Sequence, residues 1–167
     1  MQPWRNLLVK GLYDMIDRKT LIGKTFPDIK YVVSKSDRDD FFRICQIDDP
    51  KYSNINYAKT LGLKHVLIPP SFAQVIAGVV FFKTLRDLDN PLLIDWEKDT
   101  VFNGGQEFIH KNPLSIETEY IISGSIPQVE EKTGKKGNFD IIDIGSICKD
   151  ITKKEIFVGT IKIIVLK

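Results

Sequence analysis

At 167 residues the chain has the length of one domain, and a 43% hydrophobic content is enough for a sizeable core without disulfides or a structural metal. Its 24 basic and 22 acidic residues are spread evenly and form no basic stripe, which argues against nucleic acid as a partner. Cys45 and Cys148 lie far apart and, with His65 and His110, show none of the paired spacings of a zinc site, so no metal is expected and a reduced, cytoplasmic setting fits.

In chain order, Leu7, Leu8, Leu12, Met15 and Ile16 recur at helical spacing, which predicts an amphipathic N-terminal extension over residues 1–23. Charged residues interrupt that stretch, so secretion is not indicated. Residues 29–33 read as a short strand. Ser36, followed three residues later by Asp39, predicts the N-cap of a helix carrying Phe41, Phe42, Ile44 and Cys45. Residues 46–68 show no dominant period, and Asp48-Asp49-Pro50 marks a turn within a long irregular connection. Connections of that length in small domains often carry function.

Pro69-Pro70-Ser71 then supplies a helix start, because proline's fixed φ and missing amide are tolerated in a first turn. From Phe72 to Phe82 the helix is apolar on nearly every side and has to be enclosed by protein. The uncharged run 66–82 is too short for a membrane span and contains Gln74. A sheet to wrap this helix is available in the β-rich runs 92–94, 102–109, 117–129, 139–148 and 156–166, with turns at 132–137 and 149–154. The last three runs alternate as an antiparallel meander. The predicted class is therefore α+β, with one domain over residues 1–167.

The order of these elements resembles the MaoC-like hot-dog family, and more narrowly the N-terminal FAS1-type dehydratase domain. The residues that carry the resemblance are Leu21-Ile22-Gly23-Lys24-Thr25-Phe26, Asp49-Pro50-Lys51-Tyr52, Ile68-Pro69-Pro70-Ser71-Phe72, Asn103-Gly104-Gly105-Gln106-Glu107-Phe108 and Asn112-Pro113-Leu114. The resemblance implies a hot-dog fold, in which an antiparallel sheet wraps a long central helix. It also implies an acyl thioester of coenzyme A or acyl carrier protein as substrate, with 3-hydroxyacyl and trans-2-enoyl forms interconverted and no further cofactor. By the same resemblance, Tyr52, Pro69, Pro70, Ser71, Phe72, Gly104, Gly105 and Gln106 shape the pocket.

Active members of that family carry an Asp-x-x-x-x-His motif whose histidine follows a proline by two residues. With Pro50 setting the register, Tyr52 stands at the histidine and Ile47 at the aspartate, so the dyad is absent. Asp48, Asp49 and His65 are the nearest substitutes, and His110 is a further one. The resemblance then implies a non-catalytic, acyl-binding subunit that forms a dimer, either with itself or with a catalytic MaoC-like partner. A hot-dog thioesterase, with Glu107 as its carboxylate, and a binding module without chemistry are the alternatives.

Overall fold

A computed structural model describes residues 17–63, 66–135 and 137–166. Its five strands, β1 (Thr25–Val32), β2 (Thr100–His110), β3 (Glu119–Gly134), β4 (Gly137–Asp150) and β5 (Glu155–Leu166), form one antiparallel sheet in the order β1-β3-β4-β5-β2. The meander β3-β4-β5 follows the alternation in the sequence. Tyr120, Ile122, Ile142, Ile144, Phe157 and Ile161 are buried, and the residues between them face the other way. Edge strand β2 hydrogen-bonds to β5 and carries a bulge between Asn103 and Gly105.

Three α-helices accompany the sheet: α1 (Lys35–Cys45), α2 (Ile55–Thr60) and α3 (Ala73–Asp87). A 3-10 turn over Pro70–Phe72 leads into α3, where the proline pair predicts a helix start. Ala73, Ile76, Ala77, Val80 and Thr84 form the buried stripe of α3. That stripe joins two halves of the core. Ile76 and Val80 pack in a cluster with Phe72, Tyr120 and Phe157, and Ala77 packs in another with Phe26, Leu92 and Ile142. A fully buried side chain such as Phe72 contributes about 1.5–3 kcal/mol.

Arg18 fastens the start of the described chain to the far end of the sheet. Its guanidinium donates to Asp99, to Asp140 on β4 at 2.8 Å and to the Leu93 carbonyl at 3.1 Å, with all three charged side chains nearly buried. Removing one member of such a cluster strands the others without compensation.

Several expectations are corrected here. The run 92–94 is no strand; Leu92 and Ile94 are buried in a loop, and the Asn90 side-chain amide bonds both the N–H and the C=O of Ile94 in place of a neighbouring strand. Apolar residues there signalled burial, which a loop can also provide. The cap of α1 is Ser34 with Asp37, two residues before the predicted Ser36 and Asp39. Both pairs have the spacing of a capping box, and backbone bonds between Val33 and residues 117–118 end β1 in time for the first of them.

The connection 46–68 is also less irregular than expected. It holds a 3-10 turn at Pro50–Tyr52 and the short helix α2, started by the Asn54 side chain accepting from the amides of Asn56 and Tyr57. Strands β3 and β4 stay paired to Gly134 and Gly137, so Lys132 lies in a strand and not in a turn. The expected helix at the N-terminus falls largely on residues 1–16, outside the described residues, and residues 18–21 form a 3-10 turn. Among the described residues, no helix is long and apolar enough to cross a membrane, and no group of three or more His, Cys, Asp or Glu could hold a metal.

Candidate functional site

α3 is not enclosed on all sides, contrary to what its composition suggests. Val79 is 37% exposed and Phe82 is 70% exposed, on the face turned away from the buried stripe. Beside them runs a groove of about 870 Å³ between α3 and the β5-β2 end of the sheet. Gln74, Val79, Phe82 and Arg86 line its helix side, with Asn103, Gln106 and Ile161 opposite and Phe41 and Cys45 of α1 at its margin. Apolar walls with a few convergent polar groups are the usual form of a small-molecule site.

The polar groups of this groove are amides, two cations and the Cys45 thiol. The amides of Gln74, Asn103 and Gln106 can donate to and accept from a carbonyl or an amide, and Lys83 and Arg86 add positive charge at one end. Arg86 is paired with Asp87 at 2.8 Å. No carboxylate or imidazole is among the described residues that line the groove. Carboxylate and imidazole are the groups that most often carry general acid–base chemistry at neutral pH, and the ionisable side chains lining this groove are Lys83, Arg86 and the Cys45 thiol.

The bulge on β2 positions the amide wall. Asn103 Oδ1 accepts the Gly105 N–H at 2.8 Å, and Gly105 takes a φ of +127°, a conformation that favours glycine. At Gly104 a Cβ would come within 2.9 Å of Ile164 Cγ1, so a side chain there would push against the neighbouring strand. These glycines let the strand bend, and Gln106 follows directly in the groove wall.

The helix entrance occupies a different place. Phe72 is fully buried and meets Phe41 edge-on, with ring centroids 5.1 Å apart, so it supports the groove from behind. Pro69 is buried, whereas Pro70 and Ser71 are exposed. No side chain caps α3, and the N–H groups of Phe72 and Ala73 are taken by carbonyls of the 3-10 turn. Of the eight expected pocket residues, Gln106 is thus the one that lines the groove, and Phe72 reaches it through Phe41.

Upstream, the candidate acid/base residues serve the local fold. Asp49 accepts the Lys51 N–H at 3.0 Å and pairs with its ammonium at 2.7 Å, which caps the Pro50–Tyr52 turn. The Lys51 side-chain hydrogen bond, followed by the backbone bond, holds the Asp49 carboxyl below its ordinary pKa and makes it a weaker base. Asp48 is exposed. Tyr52 is half-buried, its ring edge-on to Phe42 at 6.2 Å and beneath Lys51 Nζ at 4.7 Å. His65 lies outside the described residues. His110 is exposed at the end of β2 with its ring 6.1 Å from that of Phe157, and Glu107 is exposed on the same strand.

Sequence reasoning missed the groove face of α3. Val75, Val79 and Phe82 fall on one side of the helix, together with Gln74, Gly78 and Lys83. The signal was present as the polar Gln74 and the small Gly78 inside an apolar run, yet a helix apolar all round hides which face lacks cover.

A single antiparallel sheet packed around one long helix defines a hot-dog protein. Residues 20–158 match the family described as FAS1-like, dehydratase domain region, and the chain belongs to that family. Among curated proteins it is similar to a UPF0336 protein of Streptomyces coelicolor, 24% identical over 128 residues that span 75% of this chain and 79% of the relative. A second, from Streptomyces griseus, is 24% identical over 87% of this chain and 93% of the relative. Among solved structures, the HadBC (3R-hydroxyacyl-ACP dehydratase) complex of Mycobacterium tuberculosis superposes with a TM-score of 0.71 at 18% identity, over 86% of this chain and 96% of that one. The ChsH1-ChsH2 complex of the same organism gives 0.61 at 12% identity, over 86% and 97%. These structural likenesses establish the fold.

Proposed function

We propose that this chain is the acyl-binding subunit of a hydratase/dehydratase that interconverts 3-hydroxyacyl and trans-2-enoyl thioesters, with the acid/base pair supplied by a catalytic MaoC-like partner. The observation that carries the reading is a groove of ligand size whose described lining residues offer amides, cations and the Cys45 thiol but no carboxylate or imidazole, in a chain of the dehydratase family. Ile47 and Tyr52 occupy the motif positions, and Tyr52 is packed against Phe42. The HadBC and ChsH1-ChsH2 neighbours, both described as complexes, support a partnered arrangement.

Dehydration removes a proton from the carbon next to the thioester carbonyl and expels the 3-hydroxyl as water, while negative charge builds on the thioester oxygen. In this scheme the partner's carboxylate and imidazole move the protons. The groove here holds the acyl part and its thioester or amide linkages through Gln74, Asn103 and Gln106. Coenzyme A or an acyl carrier protein enters as part of the substrate, and the reaction calls for no redox cofactor or metal.

The test is reconstitution. The chain, purified alone and mixed with increasing amounts of a MaoC-like protein that carries the Asp and His of the motif, is assayed for hydration of a short enoyl thioester. Turnover that appears only in the mixture and saturates at equimolar ratio supports the proposal. Full turnover by the chain alone overturns it, and binding without turnover under every pairing would make the chain a binding module.

A further inference from the structure

Two apolar spaces in this molecule meet at two side chains. Beneath α3, against the sheet, lies a cavity of about 20 Å³ lined by Phe26, Ala77, Leu85, Leu92 and Ile144 among others, with room for one methyl-sized group. Its polar neighbours are few, and the Ser146 hydroxyl among them already donates to the Gly159 carbonyl at 3.4 Å. The cavity therefore suits hydrocarbon and offers little to a polar ligand. Outside α3 is the large open groove, and both Phe81 and Ile161 line the cavity as well as the groove.

These two residues form the wall, and they differ in freedom. Ile161 sits in the middle of β5, paired with Gln106 on one side and Ile144 on the other, and is 8% exposed. Phe81 is half-buried, and its ring meets the edge of the Phe82 ring at 5.4 Å. Phe82 itself projects largely into solvent. A change of Phe81 rotamer toward the groove has space to move into, whereas Ile161 is held by two strands.

We propose that Phe81 is the gate that sets how long an acyl tail this chain accepts. With the ring as observed, a tail lying in the groove ends against it. With the ring swung out or shortened, groove and cavity join into one apolar channel under α3. The proposal rests on the acyl-binding reading above and adds the residue that fixes chain length.

The experiment is calorimetric titration of the full-length chain with saturated acyl-CoAs of increasing length, which bind without turning over. For the unaltered protein, affinity should rise about fourfold per methylene and then flatten at a definite length. Phe81→Ala should move that break outward by two or more methylenes, giving more than tenfold tighter binding of tails beyond the original break, and Phe81→Leu should move it less. Ile151→Ala, an exposed residue that lines neither space, should leave the break in place.

Circular dichroism and thermal melts establish that each variant is folded, and Phe81→Leu decides the matter if the alanine variant is not. An identical break in the unaltered protein and both Phe81 variants would overturn the gate while leaving acyl binding intact. Failure of every acyl-CoA to bind, with the chain alone or paired with its catalytic partner, would remove the acyl-binding reading and the gate with it.

Discussion

Helix α3 and the turn at residues 48–52 are the two regions that the family resemblance singles out, and they are built differently. Against α3 the chain places a buried stripe on one side and a groove of ligand size on the other. In the turn, a capping aspartate pairs with Lys51, whose ammonium lies over the ring of Tyr52, and that ring meets Phe42 edge-on. The helix, sheet and groove of the fold are thus present in a chain whose residues 49–52 are taken up by local packing, and under the proposed function the groove holds the thioester while a partner moves the protons.

The largest effect should come from emptying the support of the groove. Phe72→Ala removes a fully buried ring that bears on Phe41 and should cost about 4 kcal/mol of stability, read as a lower urea midpoint. Arg18→Ala should cost about 3 kcal/mol in the same measurement, because Asp99 and Asp140 would be left buried without their shared cation.

Ser34→Ala removes the capping box of α1 and should cost about 1 kcal/mol at neutral pH. Burial pushes the Asp37 carboxyl up, but the hydroxyl and amide of Ser34 and the Tyr31 hydroxyl outweigh it, so its folded pKa lies below the ordinary 3.8. A carboxyl depressed on folding contributes stability that is present above pH 3.8 and lost as pH falls through the folded value. Urea titrations at pH 7 and on the acid side of that value should therefore show the Ser34→Ala deficit shrinking as the pH drops. The smallest effect is expected in the turn itself. Asp48→Asn and Asp49→Asn should change the hydration rate of the reconstituted pair by less than about twofold, where loss of a true general base costs 10²-fold or more.

Much of this was legible in the sequence, for identifiable reasons. The meander could be read because Ile142, Ile144, Ile161 and Ile163 alternate with residues of the opposite face, and the start of α3 because two prolines fix its first turn. The placing of Ile47 and Tyr52 at the motif positions rests on the resemblance, with Pro50 setting the register. The groove was not legible, since its walls come from residues 74–86, 103–106 and 161–163, which only the strand order β4-β5-β2 brings together. The capping role of Asp49 was equally hidden, because Asp-Asp-Pro reads alike whether its carboxylates face a substrate or a lysine two residues on.

The most direct test of the central claim uses the reconstituted pair and moves the defect from one subunit to the other. With the motif Asp and His of the catalytic partner changed to Asn and Ala, hydration of a short enoyl thioester should fall to background, while Asp48→Asn plus Asp49→Asn in this chain should leave the rate near its original value. Loss of activity on the second change, with retention on the first, would place the acid/base chemistry in this chain and contradict the account.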